Sequence, residues 1–274
     1  MKRLLKDEAL MLRTCDGDGK SYGGFQWPKI GPVTCSDWND SPNCGNGLHG
    51  LLWGTGNGLL LDWSESALWL VVRIKKSQII DLNGKVKVPS GIVEFCGDAQ
   101  QAVTIIQQYA PVGSAIVGGT ATAGDGGTAT AGYRGTATAG DGGTATAGYS
   151  GTATAGYEGT ATAGDRGTAT AGDGGTATAG IRGTATAGDE GTATAGYEGT
   201  ATAGYEGTAT AGDGGTATAG IGGTATAGYE GCISILYWNG KAYKRAIFAV
   251  GKNGIKPNVA YRVDGQGNPI EVKQ

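Results

Sequence analysis

Fourteen consecutive octads of the form Gly-Thr-Ala-Thr-Ala-Gly-x-x run from Gly119 to Glu230 without an insertion. A unit this short cannot bury a core by itself, so it must stack on its neighbours, and the segment specifies a repeat architecture before any other residue is considered. Thr-Ala-Thr-Ala alternates with period two, which places both threonines on one side of an extended strand and both alanines on the other. Glycines at the first and sixth positions supply the conformational freedom expected of a tight corner every eight residues. One octad is too short to close a coil. Two octads give a 16-residue coil with two facing strands, so the repeat reads as a two-sided parallel β-solenoid of about seven coils. At about 4.8 Å per coil the stack is about 33 Å long.

The orientation of the strands follows from polarity. Threonine turned inward would bury 28 hydroxyls in a narrow interior with few partners, at a cost for each unpaired group. Alanine inward gives a thin dry core, and threonine outward puts a β-branched residue where a strand favours it. This reading makes a surface array of Thr120, Thr122, Thr128, Thr130, Thr136, Thr138, Thr144 and Thr146, continuing through Thr176 and Thr178 to Thr224 and Thr226. When octads are paired from the start, six of seven coils have one Asp and one Tyr or Ile at the seventh position, as expected if two unneutralised acids in one coil repel.

The repeat divides the chain into 1–118, 119–230 and 231–274. The first segment is large enough for a small α+β domain; the last is short enough to need a neighbour, and both are placed to cap the open ends of the solenoid. In the tail, two hairpins are expected, one turning at Asn239-Gly240 and one around Asp264–Asn268. The repeat carries a formal charge of −8 and the flanks +5, with basic residues scattered rather than clustered, so no nucleic-acid partner is expected. Asp7 and Glu8 break any apolar signal-peptide core, no apolar stretch is long enough to span a bilayer, and an odd set of five cysteines suits reduced thiols. These features point to a cytoplasmic protein without a membrane partner.

In 1–118, strands are expected at 8–14, 67–74, 78–82, 85–88 and 92–95, a helix at 99–109 with Asp98 as its cap, and a long loop rich in Gly, Pro and Trp between the first two strands. Cys15, Cys35, Cys44 and His49 are the residues with metal-ligand chemistry, but their spacing lacks the close cysteine pairs of a zinc knuckle, so neither metal nor cofactor is expected. His49 is the single histidine, so any imidazole-dependent step must use it.

Three resemblances accompany these readings. Units such as Ala131-Gly-Tyr-Arg-Gly-Thr-Ala-Thr-Ala139 resemble the repeats of bacterial ice nucleation proteins, which implies coils of 16 residues, Thr-x-Thr rows that organise water or ice, and a stacked tyrosine edge. The edge residues here are Tyr133, Tyr149, Tyr157, Tyr197, Tyr205 and Tyr229, and they raise the possibility of a homodimer through a solenoid edge. Arg13, Gly47-Leu-His-Gly50 and Lys85–Glu94 resemble the Arg, His and Glu positions of ADP-ribosyltransferase-like domains, which implies an alternative in which the N-terminal domain binds a nucleotide such as NAD or a protein partner, with the solenoid as spacer. The layout, with Cys44-Gly-Asn-Gly-Leu-His49, the octads and Gly254-Ile-Lys-Pro-Asn-Val-Ala-Tyr261, is similar to uncharacterised bacterial and phage proteins. The leading expectation is a non-enzymatic solenoid that presents flat Thr-x-Thr arrays as a scaffold or binding surface, with ordered water or ice as ligand.

Overall fold

The structure is a computed structural model and describes residues 3–273; Met1 and Lys2, part of the stretch read for a signal sequence, lie outside the described residues, as does Gln274. The chain forms two compact units, Met1–Gly119 and Thr120–Gln274.

The first unit is a seven-stranded antiparallel sheet with one helix. Its strands are β1 (Glu8–Cys15), β2 (Gly31–Thr34), β3 (Leu48–Leu52), β4 (Leu68–Lys75), β5 (Ile80–Asp81), β6 (Val86–Val88) and β7 (Ser90–Gly97), in the order β2-β7-β4-β1-β3-β6-β5. The apolar run of β4 lies centrally, paired on both sides with β1 and β7. Helix α1 (Ala99–Tyr109) starts where Asp98 accepts a hydrogen bond from the Gln101 amide at 2.9 Å and buries Ala102, Val103 and Ile106. Strands β2 and β3 fall inside the segment read as a long loop. The reason is non-local: at Gly50 in β3 a side chain would come within 2.7 Å of the Leu12 carbonyl, so this short strand is fixed by its close approach to β1.

In the second unit each octad contributes one strand, β8 (Thr120–Thr122), β9 (Thr128–Ala131) and so on in order to β20 (Thr216–Ala219) and β21 (Thr224–Ala227). Strands of even label form one parallel sheet and strands of odd label the other. Pairing is in register at a step of sixteen, Thr136 on Thr152 in the first sheet and Thr144 on Thr160 in the second. The two-octad coil therefore holds, and so does the orientation: Ala177 and Ala179 are 0% and 3% exposed, while Thr176 is exposed and Thr178 half-buried. A core of methyl groups buries little area per residue, and the continuous ladder satisfies the backbone groups that surround it.

The corners differ from the sequence reading. Each is a β-turn closed by a bond such as Gly175 N to Gly172 O at 3.0 Å. Its positive φ falls on the eighth octad position, as the third residue of a type II turn requires. Glycine occupies that position in only some coils; Arg134, Glu158, Arg182 and six others adopt φ between 51° and 56° there. The first and sixth glycines are needed for space instead. A Cβ at Gly175 would lie 2.8 Å from the Ala171 methyl and 2.8 Å from the Gly159 carbonyl, and one at Gly172 would lie 2.9 Å from the Tyr157 nitrogen in the coil below. These glycines let successive corners stack at strand spacing.

The seventh-position aspartates have a structural role that charge avoidance did not suggest. Each of the six accepts, through Oδ1, the amide of the seventh residue in the next coil, as in Asp173 to Asp189 at 2.9 Å and Asp189 to Tyr205 at 2.7 Å. They are axial ties between corners. Replacing Asp189 by Ala removes one tie and is expected to cost about 1 kcal/mol, whereas Asp189→Asn retains an acceptor. Hydrogen exchange at the Tyr205 amide checks this: it accelerates in the alanine variant and stays close to the parent rate in the asparagine variant.

The C-terminal end is closed by two hairpins. β22 (Cys232–Trp238) continues the first sheet in parallel, with Ile233 and Ile235 in the place of alanines and almost fully buried. β23 (Tyr243–Ala249) then turns back on it antiparallel. On the second sheet β24 (Tyr261–Val263) pairs antiparallel with β21 and with β25 (Pro269–Glu271). Larger side chains thus plug the thin alanine core, and antiparallel strands replace the template for further parallel coils.

Candidate functional site: the two threonine faces

The alternation of the octad gives each sheet an outer face made of Thr-x-Thr rows. One face holds Thr120, Thr122, Thr136 and Thr138 and their successors to Thr216 and Thr218; the other holds Thr128, Thr130, Thr144, Thr146, Thr176 and Thr178. The candidate threonines therefore divide between two opposite surfaces. In-register pairing repeats each row at about 4.8 Å along the axis, and the two threonines of one strand are about 6.7 Å apart. The first threonine of most octads is exposed and the second half-buried, so most strands present one more and one less accessible threonine. All charged side chains of the repeat sit in the corners, leaving both faces neutral.

Thr224 departs from the array. It is only 9% exposed, because the Arg262 guanidinium in β24 donates to its Oγ1 at 2.9 Å. The cap covers the last row of the second face, and Thr224 is not an available surface residue.

The tyrosines are spread over both edges. Tyr157 and Tyr205 lie on the edge that follows the first sheet, and Tyr133, Tyr149, Tyr197 and Tyr229 on the other. Tyr133 and Tyr149 stack with ring centroids 5.3 Å apart and planes 2° apart. Asp165 and Ile181 then interrupt the row.

In the first unit, Arg13, His49 and Glu94 do not form one site. The Arg13 guanidinium donates to the His49 carbonyl at 3.1 Å and lies 4.1 Å from the centre of the Trp27 ring; burial lowers its pKa to about 10, which leaves it charged at neutral pH. The His49 ring accepts the Gly45 amide at 3.4 Å, and burial together with Lys85, Arg13 and Lys87 holds its pKa below the usual histidine value. Glu94 is elsewhere. It pairs at 2.8 Å with Arg73, which also meets Glu8 at 3.0 Å. A surface depression of about 640 Å³ in this unit is lined by Phe95, Asp98, Gln100, Gln101, Thr104 and Ile105, none of them a candidate residue. The dinucleotide alternative has no assembled pocket to support it.

The four metal-ligand candidates do not gather into one group. Cys15 and Cys35 are buried and give their thiols to the carbonyls of Leu68 and Pro89. Exposed Cys44 accepts a hydrogen bond from Lys85 at 2.9 Å, which lowers its pKa. Among the described residues no group of three or more His, Cys, Asp or Glu side chains is arranged to hold a metal ion. No helix among them is long and apolar enough to cross a membrane.

Fold and surface together define a class, the two-sided parallel β-solenoid with Thr-x-Thr on both sheets. In sequence the chain is similar to bacterial ice nucleation proteins. It is 35% identical over 111 residues to the ice nucleation protein of Xanthomonas campestris pv. translucens, covering 40% of this chain and 7% of that protein. It is 38% identical over 94 residues to that of Pseudomonas syringae, covering 34% and 8%. With ice nucleation protein InaU of Pantoea ananas it shares 32% over 106 residues, covering 38% and 10%. The matched part thus spans a tenth or less of those curated relatives. No family model matches the chain, and no solved structure matches it.

Proposed function

We propose that this ice-nucleation-like repeat scaffold is a non-enzymatic ice-binding or water-ordering protein that acts through its threonine faces. The observation that carries this reading is the in-register stacking of Thr-x-Thr rows, which turns a sequence repeat into a neutral two-dimensional lattice. Two water oxygens hydrogen-bonded to a common third, each at about 2.75 Å and at a tetrahedral angle, are about 4.5 Å apart. The axial repeat of about 4.8 Å is close to that distance. Hydroxyls at this spacing match the second-neighbour separation of ordered water, while the methyl groups beside them limit competing hydrogen bonds. Ordering the array costs little on binding, because threonine on a strand has restricted χ1 freedom.

The test is a set of three lysines on one face, Thr160→Lys, Thr176→Lys and Thr192→Lys. These threonines are exposed, so the fold should remain, as the circular dichroism spectrum will show. With one lattice of the two broken, ice-crystal shaping and thermal hysteresis are expected to fall at least twofold. An unchanged value together with an unchanged spectrum would remove the threonine faces from the function.

A further inference from the structure

Pairing octads into coils sorts the corner residues onto two edges of different character. The edge after the first sheet carries Asp125, Asp141, Glu158, Asp173, Asp189, Glu190 and Glu206 and no basic residue. The opposite edge carries all three arginines of the repeat, Arg134, Arg166 and Arg182, in coils one, three and four. Its acids beyond the midpoint are Glu198, Asp213 and Glu230, in coils five, six and seven. Asp165 shares the corner of coil three with Arg166, so the edge carries a formal charge of +2 over coils one to four (three Arg, one Asp) and −3 over coils five to seven (two Glu, one Asp).

We infer that the arginine-bearing edge is a self-complementary interface at which two copies of this chain lie side by side, antiparallel, about a two-fold axis at the fourth coil. A two-fold contact brings each residue of a patch against its symmetry counterpart, so the patch must change sign across its midpoint. In this arrangement coil one of one copy meets coil seven of the other, which places Arg134 against Glu230 and Tyr133 against Tyr229 of the second copy. Coil three meets coil five, which places the Asp165-Arg166 corner against Tyr197 and Glu198, where Arg166 becomes a second cation on a carboxylate that already holds Arg182 of its own chain. At the axis itself like charges would meet, and there Arg182 is already engaged by Glu198 of its own chain, Nε to Oε2 at 2.6 Å. Its neighbour Ile181, 48% exposed, is the apolar residue at that point, and Tyr197 and Tyr229 add further exposed apolar surface on the same edge.

The alternatives place like charges together. A parallel pairing through the same edge sets Arg134 on Arg134 and Glu230 on Glu230. Pairing through the acidic edge opposes seven carboxylates with seven. Acidic edge on arginine edge is attractive, but it does not close and leads to open lateral growth. A strip one turn wide falls below the standard interface of about 1,600 Å². The association is accordingly concentration-dependent, and its exposed ion pairs make it sensitive to salt.

Sedimentation equilibrium of the full chain over a range of concentrations tests this in solution and in the absence of ice, so its outcome is separate from that of the threonine faces. At low salt the mass should rise from one copy to two and stop, and 1 M salt should weaken the dimer at least tenfold. Arg134→Glu with Arg166→Glu should weaken it at least tenfold. Arg134→Glu combined with Glu230→Arg exchanges the charges within the proposed pair and should restore most of the lost affinity. A monomer at every concentration, a double reversal without effect, a charge exchange that fails to rescue, or a mass that climbs past two copies would each overturn the proposal.

Discussion

Ala177→Leu is expected to lower the stability of the solenoid by about 3 kcal/mol or more and to depress the thermal transition followed by far-ultraviolet circular dichroism. Ala177 is completely buried, between Ala161 and Ala193 of the adjacent coils. Its surroundings are a continuous cluster of buried alanines, so three additional carbons enter a core built for methyl groups. Relief requires the sheets to separate. In a stack of in-register coils, separation at one level strains the hydrogen-bonded corners above and below, and repeat arrays couple such strain between nearest neighbours. Thr176→Leu provides the control. It puts the same leucine side chain one residue away on the exposed side and should shift the transition by a small amount. If the two substitutions have equal effects, alanine is not the core.

The second large effect is expected in the first unit. Arg73→Ala leaves Glu8 and Glu94, each less than a fifth exposed, without the cation they share. Removing one partner from a buried ion pair typically costs about 3–5 kcal/mol, because the remaining charge is both desolvated and unpaired. Arg73 in β4 lies between the strands that carry its partners, β1 and β7, so the loss falls at the centre of the sheet. Five of the six tryptophans lie in this unit, so urea unfolding followed by tryptophan fluorescence should show its transition move to lower denaturant. Adding Glu94→Gln to Arg73→Ala should recover part of the loss by removing one of the two unpaired charges. A transition that does not move with Arg73→Ala would contradict this account of Glu94 as a structural carboxylate.

These two sites also mark how much of the molecule was legible in the sequence. The alanine core was legible because period-two alternation and the cost of buried hydroxyls both give the same answer, and the coil length followed from the octad. The helix start at Asp98 was legible for the same reason, since one residue type in one position does the work. The ion cluster was not legible. Glu8, Arg73 and Glu94 are far apart in sequence, and strand order, which brings them together, depends on pairings with no local signature. The corner chemistry was read in part: glycine announced the turns, but the positive φ falls on Arg, Ser and Glu, which became apparent only with the backbone angles. The axial aspartates needed the stack itself, because their partners lie sixteen residues on. Thr224 was assigned to the surface by periodicity and is covered by Arg262, a residue outside the repeat.

The threonine lattice is the centre of the functional account, and incorporation into growing ice tests it most directly. A fluorescently labelled full chain, placed in a dilute solution from which a single ice crystal is grown slowly, should enter the ice at a concentration well above that of a labelled inert protein of similar size. The variant with Thr160→Lys, Thr176→Lys and Thr192→Lys, combined with lysine at Thr152, Thr168 and Thr184 on the opposite face, should remain in the liquid while keeping its β spectrum. Exclusion of the parent chain from the ice, or equal incorporation of the folded six-lysine variant, would contradict the claim that the threonine faces bind ice.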